Sequence, residues 1–257
     1  MSSNDGIGKT IGVAFALCIA CSVIVSTAAV VLKPAQEVNK ALDKKRNILA
    51  AAGMLQEGLS VEEQFAQITT KVVDLRTGRY TDEVEAGSYD HLKAAKDGGT
   101  SRSLSDVEDL AKISRLENFV PVYLVEEANG GIDKIILPIR GYGLWSTLYG
   151  FIALESDANT IAGLGFYEHG ETPGLGGEVD NPRWKALWPG KQVYRDGEPA
   201  IELIKGAVNP EAANADWQVD GLAGATLTAR GVTNLVQFWL GQNGFATYLD
   251  NLKSGEA

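Results

Sequence analysis

The amino-acid sequence predicts an α+β protein, with one N-terminal transmembrane helix followed by a soluble domain whose mostly antiparallel sheet has flanking helices. Three observations predict this fold class. Residues 10–32 carry no charge, residues 121–167 contain paired apolar runs separated by turn residues, and apolar side chains recur at helical spacing after Thr228. Strands and helices that occur in separate runs are typical of α+β folds.

The charge-free segment 10–32 predicts a membrane anchor. A helix needs about 20 apolar residues to cross the hydrocarbon core, and Lys9 and Lys33 bracket the segment. A cleaved signal peptide is the alternative, but its apolar region is usually about 7–15 residues long. We therefore expect residues 1–9 to form a cytoplasmic tail and residues 10–32 to remain as the span.

Composition narrows the classes of function. The chain has 257 residues and a formal net charge of -10. An acidic protein repels nucleic-acid phosphates, so no nucleic-acid partner is expected. The two cysteines, Cys18 and Cys21, lie within the span. They are interpreted as small apolar residues of the helix, and the rest of the chain cannot form a disulfide.

Residues 33–119 are predicted to form a linker helix and the N-terminal part of the soluble domain. A helical pattern covers residues 34–56 after the span. Ser60 is followed three residues later by Glu63, which predicts a capped second helix. Residues 72–75 suggest a short strand.

The stretch 77–117 is polar and rich in Asp, Ser, Gly and Lys, which predicts a surface insertion. We expect a short helix near residues 105–116, and a disordered stretch is the alternative. His91 lies in this stretch and is interpreted as a solvated surface residue.

Residues 120–257 are predicted to form the main domain. The Asn-Gly-Gly sequence at 129–131 is a hairpin signal between the first two of its strands. A helix after Thr228 buries one face, and a last helix covers 245–252. The predicted strands are residues 121–125, 132–139, 148–154, 160–167, 201–204 and 217–219.

Residues 220–228, Asp-Gly-Leu-Ala-Gly-Ala-Thr-Leu-Thr, precede the amphipathic helix. Small residues allow a ligand to approach the backbone closely, and free N–H groups at a helix N-terminus stabilise a phosphate. Thr226 and Thr228 supply hydroxyls there. The alternative is a Gly-rich turn in which Thr228 caps the helix.

Residues 141–147, Gly-Tyr-Gly-Leu-Trp-Ser-Thr, place aromatic side chains beside glycines, which suits a flat ring. The alternative is a turn before a strand, with Trp145 in the core.

Residues 166–177, Phe-Tyr-Glu-His-Gly-Glu-Thr-Pro-Gly-Leu-Gly-Gly, predict a shaped loop, because glycine and proline interrupt regular structure. No nucleophile pattern or second core histidine supports His169 as a catalytic base or a metal ligand. We expect no metal site and no acid or base catalyst. Neither a dinucleotide fingerprint nor a P-loop is present.

Together, and behind one N-terminal span, these three segments resemble the C subunits of the Na+-translocating NADH:quinone oxidoreductases. The resemblance covers essentially the whole chain and is strongest over residues 140–190 and 220–228. The G subunit of the Rnf complex has the same FMN-binding domain and is usually shorter, so the stretch 77–117 favours the C subunit of the oxidoreductase.

The resemblance implies one FMN attached through a phosphoester to Thr226. The family pattern is Asp-x-x-Ser/Thr-Gly-Ala-Thr, and a flavin transferase that uses FAD and Mg2+ modifies its last threonine. This sequence departs from the pattern at Ala223, which leaves the acceptor intact. Thr228 is a less favoured acceptor. The matched segment also contains Asp220, Gly224, Ala225 and Leu227.

The resemblance also suggests which side chains surround the flavin. Leu144, Trp145, Thr172 and Leu175 are expected to contact the ring, and Glu171 to orient it through a polar contact. Lys205 is expected to face the phosphate or the ring, with a solvated lysine as the alternative. Ser146 and Gly176 complete the expected binding residues.

The implied function is electron relay in a bacterial inner-membrane complex of six subunits that carries electrons from NADH to ubiquinone and pumps Na+. The soluble domain would be periplasmic. The lysines and arginine after the span favour the cytoplasm instead, but long domains translocate largely regardless of charge. Alternatives are an Rnf-type electron-transport subunit, a membrane-tethered flavin sensor, or an assembly subunit whose site is empty.

Overall fold

The computed structural model describes residues 6–128 and 130–257. The chain forms two compact units, a helical one that ends at Asp43 and a second from Lys44 to Ala257. Residues 1–5 of the predicted tail and Asn129 of the predicted hairpin turn lie outside the described residues. The predicted α+β class, with an apolar N-terminal helix and a mostly antiparallel sheet, is confirmed.

The elements of the described chain are as follows. The helices are α1 Ile7–Ala51, α2 Val61–Phe65, α3 His91–Ala94, α4 Pro182–Lys185, α5 Thr226–Leu240 and α6 Ala246–Ser254. The strands are β1 Ile68–Asp74, β2 Arg79–Tyr80, β3 Ser101–Ser103, β4 Arg115–Glu117, β5 Phe119–Glu126, β6 Ile132–Tyr142, β7 Thr147–Glu155, β8 Ile161–Glu168, β9 Tyr194–Arg195, β10 Glu198–Pro199, β11 Glu202–Leu203 and β12 Gln218–Val219. Single 3-10 turns cover Gly176–Asp180 and Ala215–Trp217.

The predicted span and the predicted linker helix form one helix, α1, which continues through Pro34 and ends at Ala51 rather than at Gln56. Residues 10–32 of this helix carry no charge, and their apolar side chains are exposed. By length and composition, α1 is therefore able to cross a membrane.

A six-stranded sheet in the order β2-β1-β5-β6-β7-β8 forms the centre of the second unit, and its neighbouring strands are antiparallel. Strands β5, β6 and β7 are buried on both faces over most of their length, and they are nearly continuous apolar runs there. Along β6, Ile135 and Leu137 pack in one cluster with Val232 of α5. Ile136, between them, packs on the other face with Ile48 from the end of α1. The two predicted strand pairs, β5–β6 and β7–β8, are confirmed.

The late strands are shorter than predicted. Trp217 closes a 3-10 turn, and β12 begins after it. It pairs in parallel with β11. This small ladder leads the chain into the segment before α5.

The helix predicted near residues 105–116 is wrong. Turns occupy residues 106–108 and 110–111, and strand β4 begins at Arg115. The Asp109 carboxylate accepts the backbone N–H groups of Ile113 and Ser114 at 2.8 and 2.7 Å. Such side-chain bonds compete with helical hydrogen bonds, which explains why the segment turns.

The interpretation of His91 as a surface residue is also wrong, because it is only 5% exposed. Its Nδ1 lies 2.9 Å from Glu117 Oε1, and a carboxylate only accepts, so the ring nitrogen donates. Arg140 donates to the same carboxylate from Nη1 (2.5 Å) and Nη2 (2.6 Å). The stretch 77–117 therefore joins the core through a buried network of His91, Glu117 and Arg140.

This network makes stability depend on pH. Burial lowers the pKa of His91 below its ordinary 6.5, and the positive charges of Lys44 and Arg140 lower it further. The hydrogen bond and the negative charge of Glu117 raise the pKa, but they do not outweigh the burial. The unfolded chain then binds a proton that the folded chain does not. The contribution of His91 to the free energy of unfolding is therefore present above about pH 6.5 and is lost as the pH falls below that value.

We expect the unfolding free energy of the parent chain to fall by about 1 kcal/mol more than that of His91→Gln between about pH 7 and pH 5.5. Glutamine keeps an N–H donor for Glu117 and does not titrate. Urea unfolding of the full chain in detergent at several pH values measures the difference. Parallel stability curves for the two chains would contradict this assignment.

Candidate functional site

The three segments singled out in the sequence lie together around the first turn of α5. A Cβ added to Gly143 would lie 2.7 Å from Glu171 Oε1, and one added to Gly176 would lie 2.6 Å from Thr228 Oγ1. A Cβ on Gly224 would lie 3.0 Å from a methyl carbon of Leu175. The loop after β6, the loop after β8 and the segment before α5 therefore meet at one place.

The side chain of Glu171 is hydrogen-bonded to two of these segments, the loop after β6 and the first turn of α5. It is only 5% exposed. Its Oε1 accepts the backbone N–H groups of Leu144, Trp145 and Ser146 at 3.1, 3.0 and 3.2 Å. Its Oε2 accepts the Thr228 hydroxyl at 2.7 Å. Burial opposes the charged form, but these four hydrogen bonds outweigh it and hold the pKa of Glu171 below its usual value.

Helix α5 begins at Thr226, with Ala225 at the capping position. Thr228 does not cap the helix; it is buried in the first turn and bonded to Glu171. Ala225 has no side-chain acceptor for the N–H groups of the first turn. Thr226 is exposed at this helix end.

Exposed apolar side chains lie in the same three segments. Trp145 is 67% exposed, Leu175 44% and Leu227 53%. The alternative that placed Trp145 in the core is therefore wrong. Leu144 is half-buried and Thr172 is exposed. Ser146 holds the second loop in place, because its Oγ accepts the Gly170 N–H at 2.6 Å. Exposed apolar groups concentrated in one place are typical of a binding surface.

A cavity of about 620 Å³ borders Thr226. Four of the residues predicted to bind the cofactor line this cavity: Lys205, Asp220, Ala223 and Gly224. The Asp220 carboxylate accepts the Val208 N–H at 2.8 Å and so braces the cavity wall. Trp145 and Leu175 are not among the lining residues, so the exposed apolar side chains and the cavity are separate features of the site.

Arg230 also lines the cavity and is not among the predicted site residues. Its position four residues after Thr226 is the signal that could have found it, because residues four apart share a helix face. Among the residues that the structure describes, neither Lys205 nor Arg230 forms an ion pair. Both are exposed, so the cavity carries two cations that are available to an anion.

His169 supports the loop after β8. Its Nε2 lies 2.7 Å from Asp180 Oδ2, and its Nδ1 accepts the Glu171 N–H at 3.2 Å. Within residues 6–128 and 130–257, no group of three or more His, Cys, Asp or Glu side chains could hold a metal ion. The site therefore offers exposed apolar side chains and two cations as binding groups for a cofactor.

Comparison with known proteins identifies the family. The FMN-binding domain family matches residues 143–241, which contain most of the site. The C subunit of the Na(+)-translocating NADH-quinone reductase of Pseudomonas aeruginosa is 55% identical over 262 residues, with 100% of each chain covered. This chain belongs to the family of C subunits of Na+-translocating NADH-quinone reductases. The corresponding Yersinia pestis protein is 46% identical, with 98% of this chain and 96% of that protein covered.

Solved structures from this family have the same fold. The Shewanella oneidensis protein superimposes with a TM-score of 0.77 at 37% identity, covering 84% of this chain and 99% of that one. For the Parabacteroides distasonis protein the TM-score is 0.65 at 27% identity, covering 85% and 96%. The predicted family, the FMN cofactor and the assignment to an enzyme complex are confirmed. The apolar helix α1 fits a membrane-anchored member of this family.

Proposed function

We propose that this chain is the electron-relay subunit of a Na+-pumping NADH:ubiquinone reductase, with one FMN attached through a phosphoester to Thr226. One observation carries the proposal. An exposed threonine begins a 15-residue helix, with the exposed apolar side chains and the cation-lined cavity around it. That combination suits a cofactor with a flat ring, a flexible chain and a phosphate.

The exposed apolar side chains suit the isoalloxazine ring. Trp145 offers an aromatic face for stacking, and Leu144, Leu175 and Leu227 offer apolar contacts. Thr172 is exposed in the same loop as Leu175. A ring seated here would cover apolar surface that otherwise faces water, which favours binding.

The cavity that borders Thr226 suits the phosphate. The N–H groups of the first turn of α5 and the partial positive charge of the helix end favour an anion. Lys205 and Arg230 add two cations without ion-pair partners among the described residues. Ala223 lies in the cavity wall, where a serine hydroxyl would be a further hydrogen-bond donor to the phosphate. Alanine at this position removes that contact but leaves Thr226, the proposed attachment residue, intact.

The bound FMN supplies the redox chemistry, and the protein binds, orients and tunes it. No side chain needs to transfer a proton, because electrons can move singly between cofactors. We further propose that α1 anchors the chain in the bacterial inner membrane, with the main domain in the periplasm. The partners are the other members of a complex of six subunits, and a flavin transferase matures the protein.

Co-expression with and without a flavin transferase tests the proposal. We expect an intact-mass gain of one FMN phosphoester only with the transferase, and peptide mapping to a fragment that contains Thr226. An unmodified mass under both conditions overturns the covalent attachment. If Ala223→Ser then restores the modification, the cause is the missing hydroxyl at that position.

Arg230→Gln is expected to slow flavin attachment about fivefold, since an exposed charge contact contributes about 1 kcal/mol. Arg183→Gln makes the same charge change at an exposed site outside the cavity and should leave the rate unchanged. In-gel flavin fluorescence after timed incubation with transferase, FAD and Mg2+ measures both rates. Equal slowing in the two variants would assign the effect to net charge and not to the cavity.

A further inference from the structure

The carboxylate of Glu171 is an unusual group to bury in this place. Three backbone N–H groups and one hydroxyl donate to it. Among the described residues, no Lys, Arg or His forms an ion pair with it. Its negative charge is therefore held by dipoles alone and is not neutralised by a cation. Burying a charge without a counter-ion costs free energy even when it is hydrogen-bonded.

The backbone leaves room for this carboxylate from two sides. A Cβ on Gly143 would lie 2.7 Å from Oε1, and a Cβ on Gly176 would lie 2.7 Å from Oε2. The two glycines belong to different segments, the loop after β6 and the loop after β8. Both loops therefore pass close to the Glu171 carboxylate. An apolar side chain at position 171 would fill the same space without the free-energy cost of burying a charge.

We propose that Glu171 is a positioning residue that also tunes the flavin: its carboxylate fixes the backbone of residues 144–146 against α5, and its unneutralised charge lowers the reduction potential of the FMN. The potential part of this inference rests on the proposed function. The hydroxyl of Thr228 lies two positions after the proposed attachment residue, and Trp145 follows Leu144 in the loop that the carboxylate holds. The charge thus lies between two parts of the proposed flavin site.

The sign of the redox effect follows from electrostatics. Reduction adds negative charge to the flavin, and a fixed anion nearby opposes that addition in a partly desolvated site. Charge near the ring is one of the means by which proteins set the potential of a flavin. Removal of the charge should therefore raise the midpoint potential.

Three variants separate charge from position. Glu171→Gln keeps the size of the side chain and a carbonyl oxygen for the three N–H groups, but it removes the charge. Glu171→Ala removes the acceptor as well. Glu178→Gln is the matched control, because it makes the same charge change at a half-buried glutamate of the same segment that bonds to Asn181 at 2.8 Å.

Spectroelectrochemical titration of the full chain carrying FMN tests the charge. We expect Glu171→Gln to have a higher midpoint potential than the parent and Glu178→Gln to match the parent. A purely structural role would not move the potential of the glutamine variant. An unchanged potential in Glu171→Gln, or an equal shift in Glu178→Gln, overturns the redox part.

Amide hydrogen exchange of full-length protein made without transferase tests the positioning, independently of flavin. We expect the amides of residues 144–146 to lose protection in Glu171→Ala, to lose less in Glu171→Gln, and to remain protected in Glu178→Gln. Unchanged protection in both Glu171 variants overturns the positioning part. If the parent never carries FMN, the proposed function and the redox part fail together, while the exchange result still decides the positioning.

Discussion

Thr226→Ala is expected to give a folded chain with no covalently attached flavin. The phosphoester needs a hydroxyl, and alanine has none. Thr226 is exposed, and alanine is a better helix former than threonine, so the fold should be retained. The loss of flavin should be complete rather than graded, because no other atom of residue 226 can form the bond.

Two variants make this result specific. Thr226→Ser restores a hydroxyl at the same position and should restore attachment. Thr69→Ala removes a threonine of strand β1, outside the cavity, so its flavin content should equal that of the parent. Intact mass and denaturing-gel fluorescence of chains made with the transferase measure the content. Flavin on Thr226→Ala, mapped to Thr228, would contradict the assignment of the acceptor.

Glu117→Ala is expected to lower the unfolding free energy by about 3–5 kcal/mol, because it leaves the charge of Arg140 buried without its partner. Glu117 is 1% exposed and Arg140 6%. Arg140 also accepts the Trp239 indole N–H at its backbone oxygen, at 2.7 Å. The damage should therefore reach the contact between β6 and α5, at the end of the strand that leads into the flavin-site loop.

Chemical unfolding of the full chain in detergent measures this loss. Glu108→Gln is the control, because Glu108 pairs with Arg102 at the surface, and it should leave stability nearly unchanged. Glu117→Leu combined with Arg140→Met should recover part of the loss, since replacing both members of a buried pair removes the unpaired charge. A loss below ~1 kcal/mol in Glu117→Ala would contradict this expectation, because it would mean that the Glu117–Arg140 pair contributes no more than a surface ion pair does.

Local patterns were sufficient for much of the fold. The apolar run 10–32, the paired strands and the amphipathic helix all follow from repeating positions within a short stretch. The glycine-rich segments were likewise visible as candidate site loops. Their signal is local, because glycine and proline restrict or free the backbone at the position where they occur.

Long-range contacts decided the rest. No local pattern distinguishes a solvated His91 from one that donates to Glu117, 26 positions away. The turns near Asp109 depend on side-chain bonds that compete with a helix. Two polar residues in similar local sequence can therefore differ in exposure, because the folded sheet buries one and leaves the other in solvent.

The sequence by itself determined the fold class, the membrane-spanning candidate and the segments that build the site. Periodicity and turn chemistry carry that information along the chain. Only the tertiary structure decided that Glu171 holds residues 144–146 against Thr228, and that Arg230 and Lys205 line one cavity. Those contacts join residues far apart in sequence, and packing of the sheet against α5 is what brings them together.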